Sequence, residues 1–111
     1  MSLQAADIVL LPFPFTDLSS QKRRPALILR APDALGDFVA LAITSRPQYE
    51  ASIAFSQSDI AGGTLPKPSW IRVDKPYTFN ASIVVAHFGR LTAEKFQQVR
   101  EQSCAQLGCH D

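Results

Sequence analysis

The sequence predicts a small, strongly bent antiparallel β-barrel with one C-terminal helix. Short apolar runs of strand length recur along the chain, separated by turn formers such as Pro, Gly, Asn and Asp. A single stretch, residues 92–107, changes to helical spacing. The chain has 111 residues, 46% of them hydrophobic and 19% charged, which suits one packed domain over residues 1–111. Five or six short strands in so short a chain bury their apolar faces best by bending on themselves.

The first run, "DIVLLPFPF", covers residues 7–15, and its paired prolines end regular strand pairing near Pro12. The polar stretch "TDLSSQK" follows and reads as an exposed loop. "RRPALILR" is the second strand, with residues 26–29 a continuous apolar run that implies burial on both faces. Pro25 fits the first position of that strand, where a missing N–H costs least. "APDALGD" turns into a third strand over residues 38–45, and "SIAF" is a short fourth.

"SQSDIAGGTLPKP" reads as a loop with one helical turn, and "SWIRVD" as the next strand. "KPYTFNA" then turns back, and "SIVVAHFGRL" is the last strand. Thr92 suits a helix N-cap and Gly108 a helix stop. Between them Phe96, Val99, Ser103 and Leu107 recur at helical spacing and should pack on the sheet.

Eleven Lys and Arg against ten Asp and Glu leave a formal charge of +1, which argues against gross polyanion binding. Lys22, Arg23 and Arg24 nevertheless form a local basic run. The two cysteines, Cys104 and Cys109, are too few for a disulfide framework or a zinc site, so both thiols read as incidental and the protein as cytoplasmic. No signal-peptide pattern or membrane-length apolar run occurs.

Chemistry concentrates in "WIRVD", residues 70–74. On a strand Trp70, Arg72 and Asp74 share one face, while Ile71 and Val73 take the other and enter a core. The spacing fits a same-strand ion pair and a pair framing one reacting group equally well. Other polar candidates, Arg24, Thr44, Ser45 and Arg46, also sit at strand ends or beside turns. His87 shares a strand face with Ile83 and Val85 and reads as a satisfied structural histidine.

In order, "PFPFTDLSSQKRRPALIL", "ITS", "WIRVDK" and "GRLT" before a helix resemble the MazF/PemK family of ribonuclease toxins over nearly the whole chain. The resemblance implies an SH3-like barrel, a homodimer, and metal- and cofactor-independent cleavage of single-stranded RNA, usually mRNA, with growth arrest as the outcome. It also implies a cognate antitoxin as partner. Such cleavage uses the 2′-hydroxyl as nucleophile and leaves a 2′,3′-cyclic phosphate. It needs a base, help for the leaving 5′-oxygen and donors for the charge on phosphorus.

Carried over residue by residue, Asp74 is the candidate base, and desolvation against Trp70 should strengthen it. Arg72 stabilises developing charge, because a group with a pKa above about 12 is a poor proton donor. Arg24, from the family's R-P motif, and Thr44 bind the scissile phosphate. Lys22, Arg23, Ser45 and Arg46 are candidates for RNA-backbone contact, and Trp70 for base stacking. Phe15 reads as core. The first loop, "DLSSQK", lacks the Glu or His that many members carry there, and Ala6 replaces the usual glycine before Asp7. That departure keeps a second reading open: a non-catalytic SH3-like module that binds RNA or an antitoxin-like peptide.

Overall fold

The computed structural model describes residues 2–12, 23–46, 51–64 and 68–109. Seven strands form one antiparallel sheet: β1 (Asp7–Pro12), β2 (Arg23–Arg30), β3 (Asp37–Thr44), β4 (Ser52–Phe55), β5 (Ile60–Gly63), β6 (Ser69–Asn80) and β7 (Ala86–Leu91). Single 3-10 turns precede β5 and β7, and α1 (Ala93–Leu107) ends the fold. The order across the sheet is β4-β6-β3-β2-β1-β7-β5, so β4 and β5 are its edges. Among the described residues no ladder joins them, and the expected barrel is a curled half-barrel.

Strand alternation explains how the sheet packs on both sides. One face carries Ile8, Leu27, Leu41, Ile43, Ile71 and Val73, and Val99 of α1 packs into this cluster. The other face carries Val9, Leu11, Ala26, Ile28, Phe38, Ala40 and Phe79. Ala26, Leu27 and Ile28 are all fully buried, as the apolar run of β2 requires. Pro25 is not the first residue of β2 but the third, paired with Leu10. Pairing to β3 begins at Ala26, so among the described residues no strand pairs with that side of β2 where the proline lacks its N–H.

The principal departure lies in β6. "KPYTFNA" does not turn back, because β6 runs unbroken through it to Asn80. Ile43 pairs with Ile71 but Leu41 with Pro76, so the single residue Ala42 faces the four residues 72–75. This wide bulge bends β6, and beyond it β6 pairs, among the described residues, with β3 alone. β5 was also not expected. It pairs with β7 through Ile60↔Leu91 and Gly63↔Gly89.

The helix follows its sequence signals closely. The Thr92 hydroxyl accepts the Lys95 N–H at 3.3 Å, and Gly108 closes the helix in a left-handed conformation at φ 74°. Val99 and Ser103 are buried and Phe96 packs against the core, but Leu107 is half exposed and leaves the expected face. The cysteines are not incidental: Cys104 and Cys109 form a disulfide across the helix C-terminus. The αL turn at Gly108 reverses the chain and brings Cys109 back over the last helical turn, a closure that spacing alone did not suggest.

Candidate functional site

Residues 70–74 lie as alternation demands. Ile71 and Val73 are buried in the inner cluster, whereas Trp70, Arg72 and Asp74 lie half-buried on the opposite face. The Arg72 Nη2 donates to Asp74 Oδ2 at 2.9 Å, with only 16% and 25% of the two side chains exposed. Such a pair, mostly withdrawn from water, is stronger than an exposed one and more disruptive to break on one side only. The ion pair anticipated as the plain reading of "WIRVD" is therefore formed. Asp74 Oδ1 is shielded from solvent and accepts no hydrogen bond among the described residues. A buried acceptor left in this state costs about 1–3 kcal/mol.

The electrostatics reverse one expectation. Burial raises the Asp74 pKa, but the Arg72 hydrogen bond, hydrogen bonding to its own backbone N–H and the charges of Arg72 and Lys75 outweigh it. The carboxyl is held below its ordinary 3.8, so desolvation near Trp70 does not make it a stronger base in the free protein.

Register brings the other candidates to the same face. Thr44 is the direct cross-strand partner of Trp70, and paired residues point to one side of a sheet. The Thr44 hydroxyl accepts the Arg46 N–H at 3.1 Å, which ties the end of β3 to its turn. Arg24 pairs with Leu11 on β1 and lies two residues from Ala26, itself the partner of Ala42. Arg24 thus shares the face of Thr44, Trp70, Arg72 and Asp74. Ser52 of β4 pairs with Arg72 from the other side.

The remaining candidates are less central. Arg23 is exposed and paired with Pro12, one position out of phase with Arg24. Ser45 and Arg46 are exposed beyond the end of β3. Lys22 and Phe15 lie outside the described residues. His87 is not on a regular strand with Ile83, which falls in the 3-10 turn, but its structural reading holds. Its Nε2 lies 3.4 Å from Oδ1 of the buried Asp7, which also accepts from Arg90 Nε at 2.9 Å and, through Oδ2, from Gln4 N–H at 2.8 Å. That cluster ties β1 to β7 and belongs to the fold. Among the described residues no three His, Cys, Asp or Glu side chains gather as a metal site, and no helix is long and apolar enough to cross a membrane.

Sequence reasoning missed Tyr77. The bulge returns it to the face of Trp70, opposite Ala40, and its ring stacks on Phe79 at 6.0 Å and 27°. The signal was the β-rich "YTF", overridden by the turn character of "KP" before it.

The fold is shared widely. It matches an endoribonuclease solved in complex with its cognate antitoxin from a Mycobacterial species, at a TM-score of 0.75 and 18% identity, over 99% of each chain. It also matches a MazE-MazF structure from Deinococcus radiodurans, at a TM-score of 0.77 and 21% identity, over 97% of this chain and 98% of that one. At such identities the likeness speaks for the fold. No curated protein matches in sequence. A family model described as the PemK-like, MazF-like toxin of type II toxin-antitoxin systems matches residues 4–107. With nearly the whole chain so matched, and with the motif arginines and aspartate on one face, the chain belongs to that toxin family.

Proposed function

We propose that the protein is an endoribonuclease that cuts single-stranded RNA, mRNA in particular, in the cytoplasm, without a metal or cofactor. It acts by 2′-hydroxyl attack and leaves a 2′,3′-cyclic phosphate. A cognate antitoxin holds it inactive, and two copies form the working unit. The observation that carries this reading is the mostly buried Arg72–Asp74 pair, on the same face as Arg24 and Thr44.

Opening the ion pair is the first requirement. A bound phosphodiester offers the Arg72 guanidinium two oxygens in a geometry its planar fork matches. As Arg72 turns to the phosphate, Asp74 loses its main stabilising partner and gains an anion nearby. Both changes raise its pKa and make it a better base at the moment RNA arrives. Asp74 then takes the 2′-hydroxyl proton, the 2′-oxygen bonds to phosphorus and the P–O5′ bond breaks. Water supplies the proton to the departing 5′-oxygen, and Arg24 and Thr44 hold the non-bridging oxygens.

The test is incubation of the purified protein with end-labelled single-stranded RNA in EDTA. Fragments ending in 2′,3′-cyclic phosphate support the reading. Intact RNA that is nonetheless bound by folded protein would instead establish the non-catalytic module.

The pH profile is a second test. A base works only when deprotonated, so a lowered pKa extends activity toward acid. Because kcat/KM reports the free enzyme, its acid limb from Asp74 should lie below the ordinary carboxylate range. The limb in kcat reports the RNA complex and should lie at higher pH than the limb in kcat/KM. Coincident limbs would show that the pair stays closed through the reaction.

A further inference from the structure

We propose that Tyr77 is a second base-stacking platform, on the far side of the Arg72–Asp74 pair from Trp70, taking a nucleobase adjacent to the scissile phosphate. This rests on the ribonuclease reading and adds a recognition residue to it. Strand register is the first support. Tyr77 lies three positions beyond Asp74, an odd number, and in a regular strand would point toward the inner core. The bulge over residues 72–75 reverses the alternation, so Tyr77 pairs with Ala40 and lies on the face that carries Thr44 and Trp70.

Ring geometry is the second support. Tyr77 stacks on Phe79, whose own ring is buried and lies 6.1 Å from that of Phe38, yet Tyr77 remains 36% exposed. A ring braced on one side by a buried neighbour loses little freedom when a base stacks on it. Aromatic rings accept any base through its π-face, while cations beside them track the phosphates. Here Arg72 and Lys75 lie on β6 between the two aromatic residues. Ala42 faces the bulge that carries Arg72 and Ala40 faces Tyr77, and two residues of β3 span about 7 Å, so Tyr77 stays close to the phosphate that Arg72 would grip. The competing role for Tyr77 is purely structural, as a cover over Phe79, and the experiment separates the two.

The cut site is first mapped on a long RNA with the wild-type protein. A short RNA containing it is then made with an abasic nucleotide on either side of the cleaved bond. Tyr77→Ala should lower kcat/KM by roughly 10- to 100-fold, mostly through KM, while Tyr77→Phe, which keeps the ring, should stay within about threefold. One of the two abasic RNAs should lose as much with the wild type and lose nothing further with Tyr77→Ala. A role confined to covering Phe79 would leave the two abasic losses unchanged by the mutation, and that overturns the proposal. So does a folded Tyr77→Ala that cleaves within twofold of wild type. If the wild type cuts no RNA, the ribonuclease reading fails instead. Stacking is then read from the affinity for single-stranded RNA of mixed sequence, where equal Kd values for wild type and Tyr77→Ala overturn it.

Discussion

Asp74→Asn should reduce RNA cleavage by about 10²–10⁴-fold while leaving RNA bound as tightly as before, or more tightly. The substitution removes the base but keeps the side chain's shape. It also removes the carboxylate that holds the Arg72 guanidinium at 2.9 Å in the native protein and that must release it before it can grip a phosphate. Arg72→Ala should also abolish most activity, by about 10²–10³-fold, but with a different signature. It removes a phosphate contact, so RNA binding weakens and the salt dependence of binding becomes shallower by about 0.7 in a log–log plot. Asp74→Asn should leave that slope unchanged or steeper. Both variants lose a pair of which only 16% and 25% is exposed, so each should be checked for folding, with a stability loss of about 1–3 kcal/mol expected. Cleavage by folded Asp74→Asn at near wild-type rate would remove Asp74 from the chemistry. The bond between the two residues would then be structural only.

The physical basis of that pair was legible because Ile71 and Val73 are β-branched and their neighbours are not. Period-two burial therefore sorts Arg72 and Asp74 to one face without any knowledge of the fold. Thr92 and Gly108 bounded the helix for the same local reason, as each satisfies a backbone group that only a helix end leaves open. What stayed hidden depends on partners far away in sequence. Pro76 reads as a strand breaker, but the β4 ladder ends at Arg72, and among the described residues no strand pairs with that side of β6 at Pro76, where a missing N–H costs little. β5 is "IAGG", with almost no side chain to show a pattern. The Asp74 pKa was misjudged because burial and the charges of Arg72 and Lys75 act in opposition, and only geometry says which is larger.

Gly89→Ala should be the most damaging single-methyl substitution in the protein, costing about 3–4 kcal/mol, whereas Gly63→Ala should cost about 1–2. The two glycines are cross-strand partners, and β5 approaches β7 so closely that a Cβ has no place on either. One at Gly89 would collide with the backbone oxygen of Gly62 and lie 3.1 Å from the Gly63 Cα. One at Gly63 would collide with the Phe88 carbonyl oxygen and lie 2.7 Å from the Gly89 Cα. Their φ values, 155° and 122°, disfavour any side chain as well. The asymmetry in cost comes from topology. β5 is an edge strand of four residues, and the chain can relieve the clash at Gly63 by letting β5 detach, which caps the loss at what that short pairing contributes. Gly89 has no such escape, because its strand is also paired to Ile8 of β1, beside the bulge at Phe88, and β1 is central to both core faces. Denaturant unfolding measures the two costs. Amide exchange then separates their mechanisms, with Gly63→Ala losing protection at residues 60–63 while Leu27 and Leu41 keep theirs. Equal costs for the two variants, with protection lost throughout, would mean that β5 is as integral to the sheet as β7 and that the half-barrel unfolds as one unit from either edge.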